Sequence, residues 1–539
     1  MHAEARGGAL TRVPFREANP EYWTVGILLG IAGVAALWLF YSRNEILLSG
    51  DAVAHINIAR RVFDSRAPGL LQLGSVWLPL PHLLTLPFVI SGRMWQSGIG
   101  GSVVSVVSYV VAGLGLFRLL ALWSRVAAWI GTLFFAANPN LLFVQTTALN
   151  EPLYLAAFVW SLVFFTQASG ALARGEPAGA WLEKGAITLA AAILTRYDGW
   201  FLAAACWAAV LPGALKAMRH GQTLDGSHFR KSVLRALLLT ILAPTLWLAY
   251  NFGVFENPLE FANGPYSAKA IVQRTTPKGA APYPGEGNPW TAGMYFTKAT
   301  QLTVGEGGMA KLLICIAVLG TIVFSLQREW LPFLLLWSPL VFYSLSIAFG
   351  SVPIFIPAWW PFSYYNVRYG LELLPAIAAG LGTSVFLATQ YSRKATVWSV
   401  SLVVILTIGS YVGEWRGVPI CLREVRENGQ ARLQVDRRLA ALLQTLPHRS
   451  AVLAYMGAHS GAFELAEFAL ARTINEGNYV IWDSALQHPA SAADYVIASD
   501  GDPVAAAVSR NSVGLLPMLA IDVPGQPQTI LYRSAPLRR

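Results

Sequence analysis

Charged residues are scarce in this chain of 539 residues, because they make up only 13% of it while hydrophobic residues make up 55%. Soluble globular proteins carry roughly 25% charged residues, so a water-soluble body of this size would lack the polar surface to cover it. The scarcity of charge therefore excludes an ordinary soluble protein and indicates that lipid covers much of the surface. The 19 tryptophans agree with this interpretation, because amphipathic rings anchor spans at both membrane interfaces.

Cysteine is also scarce, and three cysteines, two of them in apolar segments, exclude a disulfide framework. The sequence has no Walker loop, no GxSxG element, no internal repeat and no chain of acidic residues running through its apolar segments. It therefore carries no motif of nucleotide hydrolysis or of a serine nucleophile. The formal net charge of +10 comes from short basic runs between apolar segments, where they set membrane orientation, so we expect no nucleic-acid partner.

Apolar segments that approach the length of a membrane span, about 20 residues, occur along most of the chain. About 11 of them are predicted to be spans, at roughly 22–41, 98–121, 126–144, 153–170, 181–196, 199–216, 235–251, 310–326, 331–349, 371–390 and 396–412. The polar stretch 1–21 precedes the first without a signal-cleavage pattern, so that span is predicted to be retained. Lys and Arg near the span ends place the N-terminus in the cytoplasm, and an odd number of spans then places the C-terminal part outside.

Three predicted outer segments are too long to be simple connectors, and long loops in compact proteins are usually functional. They cover 42–97, 252–308 and the tail, residues 413–539. In the first loop, an amphipathic helix over 52–65 is expected to lie on the membrane surface, and the proline-rich element after it cannot be an ordinary span. The tail is predicted to be a small extracytoplasmic α/β domain, from a helix near 431–446 and strand-like runs at 451–456, 493–499 and 529–533.

Two acidic residues, Asp51 and Glu151, stand where predicted spans meet the outer side. Each lies at the start of a helix, where a carboxylate is also a common capping residue. In the functional interpretation the two meet at one outer cavity, where they divide base and orienting roles or bind a divalent cation such as Mg or Mn. A carboxylate at the mouth of a membrane site suits work as a general base.

Two arginines stand on the same predicted side. Arg196 lies with Asp198 in TRYDGW, between two apolar segments, where charged residues are usually functional, although the two could simply pair with each other. Arg368, in RYGLELLP, begins the tenth segment, where a guanidinium can hold a phosphate bidentately while a lipid tail runs between helices.

Two histidines fall in the first outer loop. His55 lies one helical turn from Asp51 and could be a metal ligand. A lone histidine with no second histidine or cysteine cluster is more often a surface or packing residue, and His82 is interpreted in the same way.

Together these motifs resemble the GT-C superfamily of membrane glycosyltransferases, particularly the family-39-like branch that includes protein O-mannosyltransferases and lipid A aminoarabinose transferases. The resemblance covers residues 20–412. It rests on Asp51 in a first outer loop of two surface helices, Glu151 in the next outer loop, NPLEFANGPYSAK at 257–269 and RYGLELLP at 368–375. It implies a polytopic α-helical fold with an outer soluble domain at residues 413–539.

The resemblance implies transfer of a hexose or pentose from a polyprenyl-phosphate-linked donor to a protein, lipid or glycan acceptor on the outer face of the membrane. Asp51 would then act as base or orient the acceptor, while Glu151 would assist it or bind metal. Many relatives carry two adjacent acids in the first loop, whereas Ala52 follows Asp51 here. Donor phosphate or sugar contacts are expected from Arg368, Arg196, Asp198, Lys269, Tyr266 and His55.

A transporter or flippase of a lipid-linked saccharide is the main alternative. It predicts paired repeats, broken helices at the midplane and ionisable residues inside spans, whereas the charges here crowd the outer ends. A third interpretation is an assembly or anchoring protein whose tail is the working part, and it leaves the long outer loops unexplained.

Overall fold

The computed structural model describes residues 20–220, 226–275, 279, 281–327, 330–360 and 363–535. All but the last two residues of the predicted cytoplasmic segment 1–21 lie outside this part of the chain. Among the described residues, nine helices are long and apolar enough to cross a membrane, which makes the chain a multi-pass membrane protein. They are Pro20–Ser42, Ile99–Ala121, Glu151–Arg174, Asp198–Arg219, Ser227–Phe255, Gly308–Gln327, Leu331–Phe349, Val367–Thr389 and Arg393–Leu443.

Three of these elements are divided. Leu331–Phe349 consists of the helices Leu331–Leu336 and Ser338–Phe349, and Val367–Thr389 consists of a 3₁₀ helix, Val367–Leu373, followed by Leu374–Thr389. Arg393–Leu443 consists of an apolar helix, Arg393–Gly417, and a charged helix of the tail, Ile420–Leu443. The apolar part of each element is therefore what crosses the bilayer.

The third and fifth predicted spans are shorter in the structure than in the sequence interpretation. The segment 126–144 forms two helices, Arg125–Ala136 and Pro139–Val144, because Asn138 caps the second and Pro139 has no N–H with which to continue the first. The segment 181–196 forms a helix of 15 residues, Gly179–Ile193. The prediction of one continuous helix over 126–144 is therefore wrong, and the helix Gly179–Ile193 is shorter than the other candidate spans.

Short helices fill the long loops. The first loop contains Gly50–Arg61, a 3₁₀ turn at Leu70–Leu73, Leu80–Val89 and Gly92–Gln96. The second loop contains Glu260–Asn263, Ala268–Thr275 and Pro289–Val304. The last of these packs against Ser338–Phe349 and Val367–Leu373, so the second loop contributes to the interior of the protein.

The first-loop helix Gly50–Arg61 differs from the predicted surface helix over 52–65. It packs against Leu80–Val89 and also against Met456–Leu465 of the tail, so that most of its side chains are buried. A polar residue in this position needs a partner, and the Asn57 amide donates to Glu464 Oε2 at 2.7 Å. The surface helix was predicted to have one face in lipid and the other in water. That prediction is wrong, because the tail covers the face that was expected to meet water.

The tail forms a five-stranded sheet: β1 Val452–Leu453, β2 Thr473–Ile474, β3 Tyr495–Ser499, β4 Leu515–Ile521 and β5 Thr529–Ser534, in the order β2-β1-β3-β5-β4. β1 pairs in parallel with β2 and β3, while β5 pairs antiparallel with β3 and β4. The predicted run 451–456 is a strand for only two residues, since a helix begins at Met456. The helices are Ile420–Leu443, Met456–Leu465, a 3₁₀ turn at Leu470–Arg472, Tyr479–Gln487, Pro489–Ala492 and Pro503–Arg510. The predicted helix near 431–446 belongs to the first of these.

The helix Ile420–Leu443 fastens the tail to the first loop. A Cβ on Gly429 would lie 2.3 Å from the carbonyl oxygen of Leu48, so only glycine permits this close approach. On either side, Arg426 pairs with Glu45, and Arg432 donates to the Leu48 carbonyl at 3.1 Å. The tail therefore holds the segment that leads into Asp51.

Candidate active site

The guanidinium of Arg368, at the start of Val367–Thr389, contacts three carboxylates. Nε donates to Glu151 Oε1 at 3.0 Å, Nη1 lies 3.4 Å from Glu424 Oε1, and Nη2 pairs with Asp51 Oδ2. Because Asp51 and Glu151 share one arginine, the structure brings together the two acids and the arginine that the sequence singled out. All three lie on the same side of the membrane part.

Arg196 is a second cation beside the first. Its Nη1 donates to Glu151 Oε1 at 3.1 Å, its Nε donates to Asp198 Oδ2 at 3.3 Å, and its Nη2 donates to the Tyr343 hydroxyl at 2.7 Å. Glu372 Oε1 lies 3.6 Å from the same Nε. Arg196 and Asp198 do pair, as the simpler interpretation of TRYDGW proposed, but Glu151 also joins them to Arg368. We call this group the Arg368 cluster: Asp51, Glu151, Arg196, Asp198, Arg368, Glu372 and Glu424.

The charges of the Arg368 cluster do not balance, since five carboxylates surround two guanidinium groups. Glu372 is fully buried, and neither of its carboxyl oxygens has a hydrogen-bond partner in the described part of the chain. Excess buried charge costs folding free energy. Such a cluster at the ends of membrane helices is typical of a functional site rather than of a packed core.

Asp51 is the member of the Arg368 cluster that faces open space. Its side chain is 43% exposed, whereas those of Glu151 and Arg368 are 2% and 10% exposed. Asp51 does not cap its helix, because Ser49 does so by accepting from the Ala52 N–H at 3.4 Å. The capping explanation of Asp51 is therefore wrong, and its carboxylate is partly exposed while it pairs with Arg368.

Glu151 and Glu424 hold Arg368 from two sides. Glu151 lies in the first turn of its helix, where the helix dipole favours an acid. Glu424, from the tail, accepts the backbone N–H groups of Asn366 at 2.9 Å and Val367 at 2.8 Å. Asn366 has a φ of 57°, so these bonds fix the left-handed turn that leads into Arg368. The sequence did not single out Glu424, because many charged residues surround it in Ile420–Leu443.

His55 and His82 form a pair, which corrects the interpretation of His55 as a lone histidine. His55 Nδ1 lies 2.9 Å from His82 Nε2, and the His55 ring packs on Trp77 with centroids 4.6 Å apart. Burial, with the nearby positive charge of Arg368, lowers the pKa of His55 to about 3, so its ring is neutral at physiological pH. The described residues include no group of three or more His, Cys, Asp or Glu that could hold a metal ion.

The predicted cation between Asp51 and Glu151 does not fit the residues around it. The Arg368 guanidinium contacts both acids. A hard divalent cation takes about six oxygen ligands, and one placed between the two acids would lie beside that guanidinium, whose positive charge repels it. We therefore derive no step through a metal.

Two predicted site residues of the second loop lie outside the Arg368 cluster. Lys269 is exposed on Ala268–Thr275, and the ion pairs of the described chain do not join it to Arg368. Tyr266 stacks on Tyr455 of the tail, with ring centroids 6.4 Å apart, and lines a cavity of about 270 Å³.

Fold and site together define a multi-pass membrane protein with an ion cluster where the starts of several spans meet a soluble tail. ArnT from Cupriavidus metallidurans bound to undecaprenyl phosphate has a similar structure, with a TM-score of 0.56 and 12% identity over 96% of this chain and 99% of that one. The apo state of ArnT gives 0.53 and 14% identity over 94% and 98%. AglB, the oligosaccharyltransferase of Archaeoglobus fulgidus, in complex with an inhibitory peptide and a dolichol-phosphate, gives 0.49 and 11% identity over 96% and 75%.

No protein-family model matches the sequence, and no curated protein matches it either. The likeness to ArnT nevertheless covers nearly the whole of both chains. The chain therefore shares the fold of ArnT, which confirms the predicted fold class, a GT-C-like polytopic α-helical membrane fold.

Proposed function

We propose that this chain transfers a sugar from a polyprenyl-phosphate-linked donor to an acceptor on the extracytoplasmic face of the membrane. The GT-C fold and the undecaprenyl phosphate bound by ArnT support this kind of reaction. The observation that carries the proposal is the carboxylate of Asp51, which is 43% exposed and which Arg368 holds in place. Asp51 is the member of the cluster positioned to meet an acceptor.

Asp51 is proposed as the general base. It takes the proton of an acceptor hydroxyl or amine, and the freed electron pair forms a bond to the anomeric carbon of the donor sugar. The bond from that carbon to the phosphate oxygen breaks, and polyprenyl phosphate leaves with the electron pair. Because phosphate leaves readily as an anion, the reaction needs a base and a cation but no strong general acid.

Arg368 is proposed to link the base to the leaving group. A guanidinium has five N–H groups, and three contacts of Arg368 are directed to Glu151, Glu424 and Asp51. When Asp51 takes the acceptor proton, it loses its negative charge, and its ion pair with Arg368 is lost. The guanidinium can then donate to the phosphate as charge develops there, with exposed Lys269 available as a further cation.

The orientation of the chain is part of the proposal, with the N-terminus in the cytoplasm and the tail outside. The Lys and Arg distribution supports it. Val480 of the tail is 95% exposed, so Val480→Cys should react with a membrane-impermeant maleimide in intact cells, and the wild-type chain should not. Labelling of Val480→Cys only after the cells are opened would reverse the orientation.

Lipid extraction and mass spectrometry test the reaction. Cells with the wild-type chain should contain a sugar-modified product that is missing from cells without the chain and from cells with Asp51→Asn. Both deficient strains should accumulate the lipid-linked donor. Asn has nearly the size of Asp, so the variant should reach wild-type levels in the membrane. An equal amount of product in the Asp51→Asn strain would remove Asp51 from the chemistry.

A further inference from the structure

A cavity of about 270 Å³ lies where the two long loops meet the tail. Its walls include Ala54 and Arg61 of the first-loop helix, Trp77, Tyr266 of the second loop, and Tyr455 and Glu476 of the tail. None of the residues that line it belongs to the Arg368 cluster. The cavity is therefore a second site, built from all three segments that the sequence predicted to be functional.

The cavity begins beside the proposed base. Asp51, Ala54 and Arg61 are three and then seven residues apart on one helix, a spacing that places them on one face. At 1.5 Å of rise per residue, Ala54 lies about 4.5 Å along the helix axis from Asp51. On the other side, the carbonyl of Val76 accepts a hydrogen bond at 2.9 Å from Tyr197, the neighbour of Arg196. The cavity and the Arg368 cluster therefore lie next to each other along the first-loop helix.

Aromatic rings form much of the cavity wall. Trp77, Tyr266 and Tyr455 all line it, and the last two stack on each other. Such rings offer a flat apolar face together with a polar group, and ligand sites are typically apolar pockets with a few placed polar groups. A flat ligand with an apolar face and polar edges fits these walls.

The charged side chains of the cavity, Arg61 and Glu476, are suited to bind a hydroxyl group of a ligand. Arg61 Nη1 lies 3.8 Å from Glu476 Oε1, beyond hydrogen-bond distance, and Arg61 Nε is a buried atom without a partner in the described chain. Glu476 accepts the backbone N–H groups of Met456 at 2.9 Å and Gly457 at 3.1 Å, which fixes its position. Arginine can only donate and a carboxylate can only accept, whereas a hydroxyl does both and can bridge them.

A neutral ligand suits this pair better than a charged one. An anion would meet Glu476, and a cation would meet Arg61. We infer that the cavity binds a neutral sugar ring of the acceptor, with one hydroxyl between Arg61 and Glu476, and that the acceptor extends from there along the first-loop helix toward Asp51. That the sugar belongs to the acceptor rests on the proposed function, whereas sugar binding itself does not.

Saturation-transfer NMR on the full-length protein in lipid nanodiscs tests the inference. The probes are the methyl glycosides of glucose, galactose, mannose and arabinose, with methyl glucuronide and methyl glucosaminide as charged comparators. At least one neutral glycoside should show saturation of its ring C–H protons and bind more tightly than both charged sugars. Absence of binding by all neutral glycosides, or tighter binding of a charged one, would overturn the inference.

Two variants locate the binding. Arg61→Met removes the donor, and Ala54→Leu fills the cavity, and each should weaken sugar binding at least about tenfold, the loss expected for a charge-assisted hydrogen bond. Arg66→Met is the matched control, because it removes the same charge from an exposed position of the same loop. If Arg61→Met fails to fold, Ala54→Leu carries the test. Binding unchanged in the folded variants would contradict the assignment.

Asp51→Asn separates this inference from the proposed function, because it should abolish transfer while leaving sugar binding intact. Competition then identifies the source of the sugar. Displacement of the methyl glycoside by a glycosyl diacylglycerol in the nanodisc indicates a glycolipid headgroup, and displacement by a soluble oligosaccharide indicates a free glycan. Displacement by neither would overturn the assignment of the cavity to an acceptor.

Discussion

The Arg368 cluster, where the spans begin, can be compared with a second group of polar side chains that is buried inside the tail. In the tail, Ser499 Oγ lies 3.0 Å from His459 Nε2 and 2.5 Å from Thr529 Oγ1, while Asp502 Oδ2 lies 3.8 Å from the same histidine nitrogen. We call these four residues the His459 cluster. Its serine, histidine and aspartate are the residue types of a serine-hydrolase triad.

Arrangement and exposure separate the two clusters. In a triad the serine and the acid occupy opposite ring nitrogens of the histidine, but Ser499 and Asp502 lie at the same nitrogen, and His459 Nδ1 has no partner in the described chain. His459, Ser499 and Asp502 are 2%, 4% and 7% exposed, whereas the Asp51 side chain is 43% exposed. A reactive group needs access to its substrate, so exposure favours the Arg368 cluster for the proposed chemistry and a structural role for the His459 cluster.

The largest expected effect comes from exchanging one acid for its amide in each cluster. Asp51→Asn should lower the rate of sugar transfer about 10²–10⁴-fold, the usual contribution of a general base. Asp502→Asn should leave the rate unchanged, because asparagine can also cap the helix Pro503–Arg510. Transfer rates of the two purified variants, with thermal unfolding as the check of folding, measure the difference. Equal losses in both would end the distinction between the clusters.

Arg368→Ala should weaken binding of undecaprenyl phosphate by at least about 1.5 kcal/mol, or about tenfold in Kd, because a charge-assisted hydrogen bond to the phosphate is lost. Titration of the lipid into protein in nanodiscs measures the change. Arg66→Ala, which removes an exposed arginine of the first loop, should bind as the wild type does. Wild-type affinity in Arg368→Ala would refute the phosphate role.

Glu424→Gln should lower kcat roughly fivefold, corresponding to about 1 kcal/mol, while the KM for the lipid donor stays constant. The amide keeps the size of the side chain but replaces one of the two oxygens that accept from Asn366 and Val367 with an NH2 group, which cannot accept, so Arg368 loses part of what fixes its position. Glu427→Gln, at an exposed position one turn away, is the control. A change confined to KM would mean that Glu424 acts on lipid binding instead of on the position of Arg368.

The smallest effect on transfer is expected from Ser499→Ala, which should leave the rate unchanged. The substitution takes a hydrogen-bond partner from buried His459 and Thr529, so the free energy of unfolding should fall by about 1–3 kcal/mol. Denaturant unfolding followed by a transfer assay distinguishes the two outcomes. Loss of transfer without loss of stability would give the His459 cluster a catalytic role.

The sequence predicted the residues of the Arg368 cluster that stand at span ends, because charged residues bordering apolar segments are conspicuous. Asp51, Glu151, Arg196 and Arg368 were found in this way. Glu372 was missed although it lies in the same RYGLELLP motif as Arg368. The sequence could have indicated Glu372, because a charged residue inside an apolar segment costs free energy and is usually functional.

Contacts made by docking of the tail could not be predicted, because periodicity reveals one face of a helix and not what covers it. The contacts of Glu424 and the burial of Gly50–Arg61 depend on segments distant in sequence, and the pairing of His55 with His82 depends on how the first loop folds on itself. The strands Tyr495–Ser499 and Thr529–Ser534 were predicted from strand-like runs, whereas Leu515–Ile521, which contains Pro517, was missed. The two-residue strand Thr473–Ile474 gave no such signal.

The position of Glu424 has a consequence for biosynthesis. Its contacts with residues 366–368 complete the surroundings of the arginine only after the ribosome has made the last span and the helix beyond it. A nascent chain in which the segments that carry Asp51 and Glu151 are already in place still lacks Glu424. Without Glu424, the position of Arg368, which contacts both acids, is not fixed. The Arg368 cluster should therefore be completed only when the helix Ile420–Leu443 has emerged from the ribosome and docked.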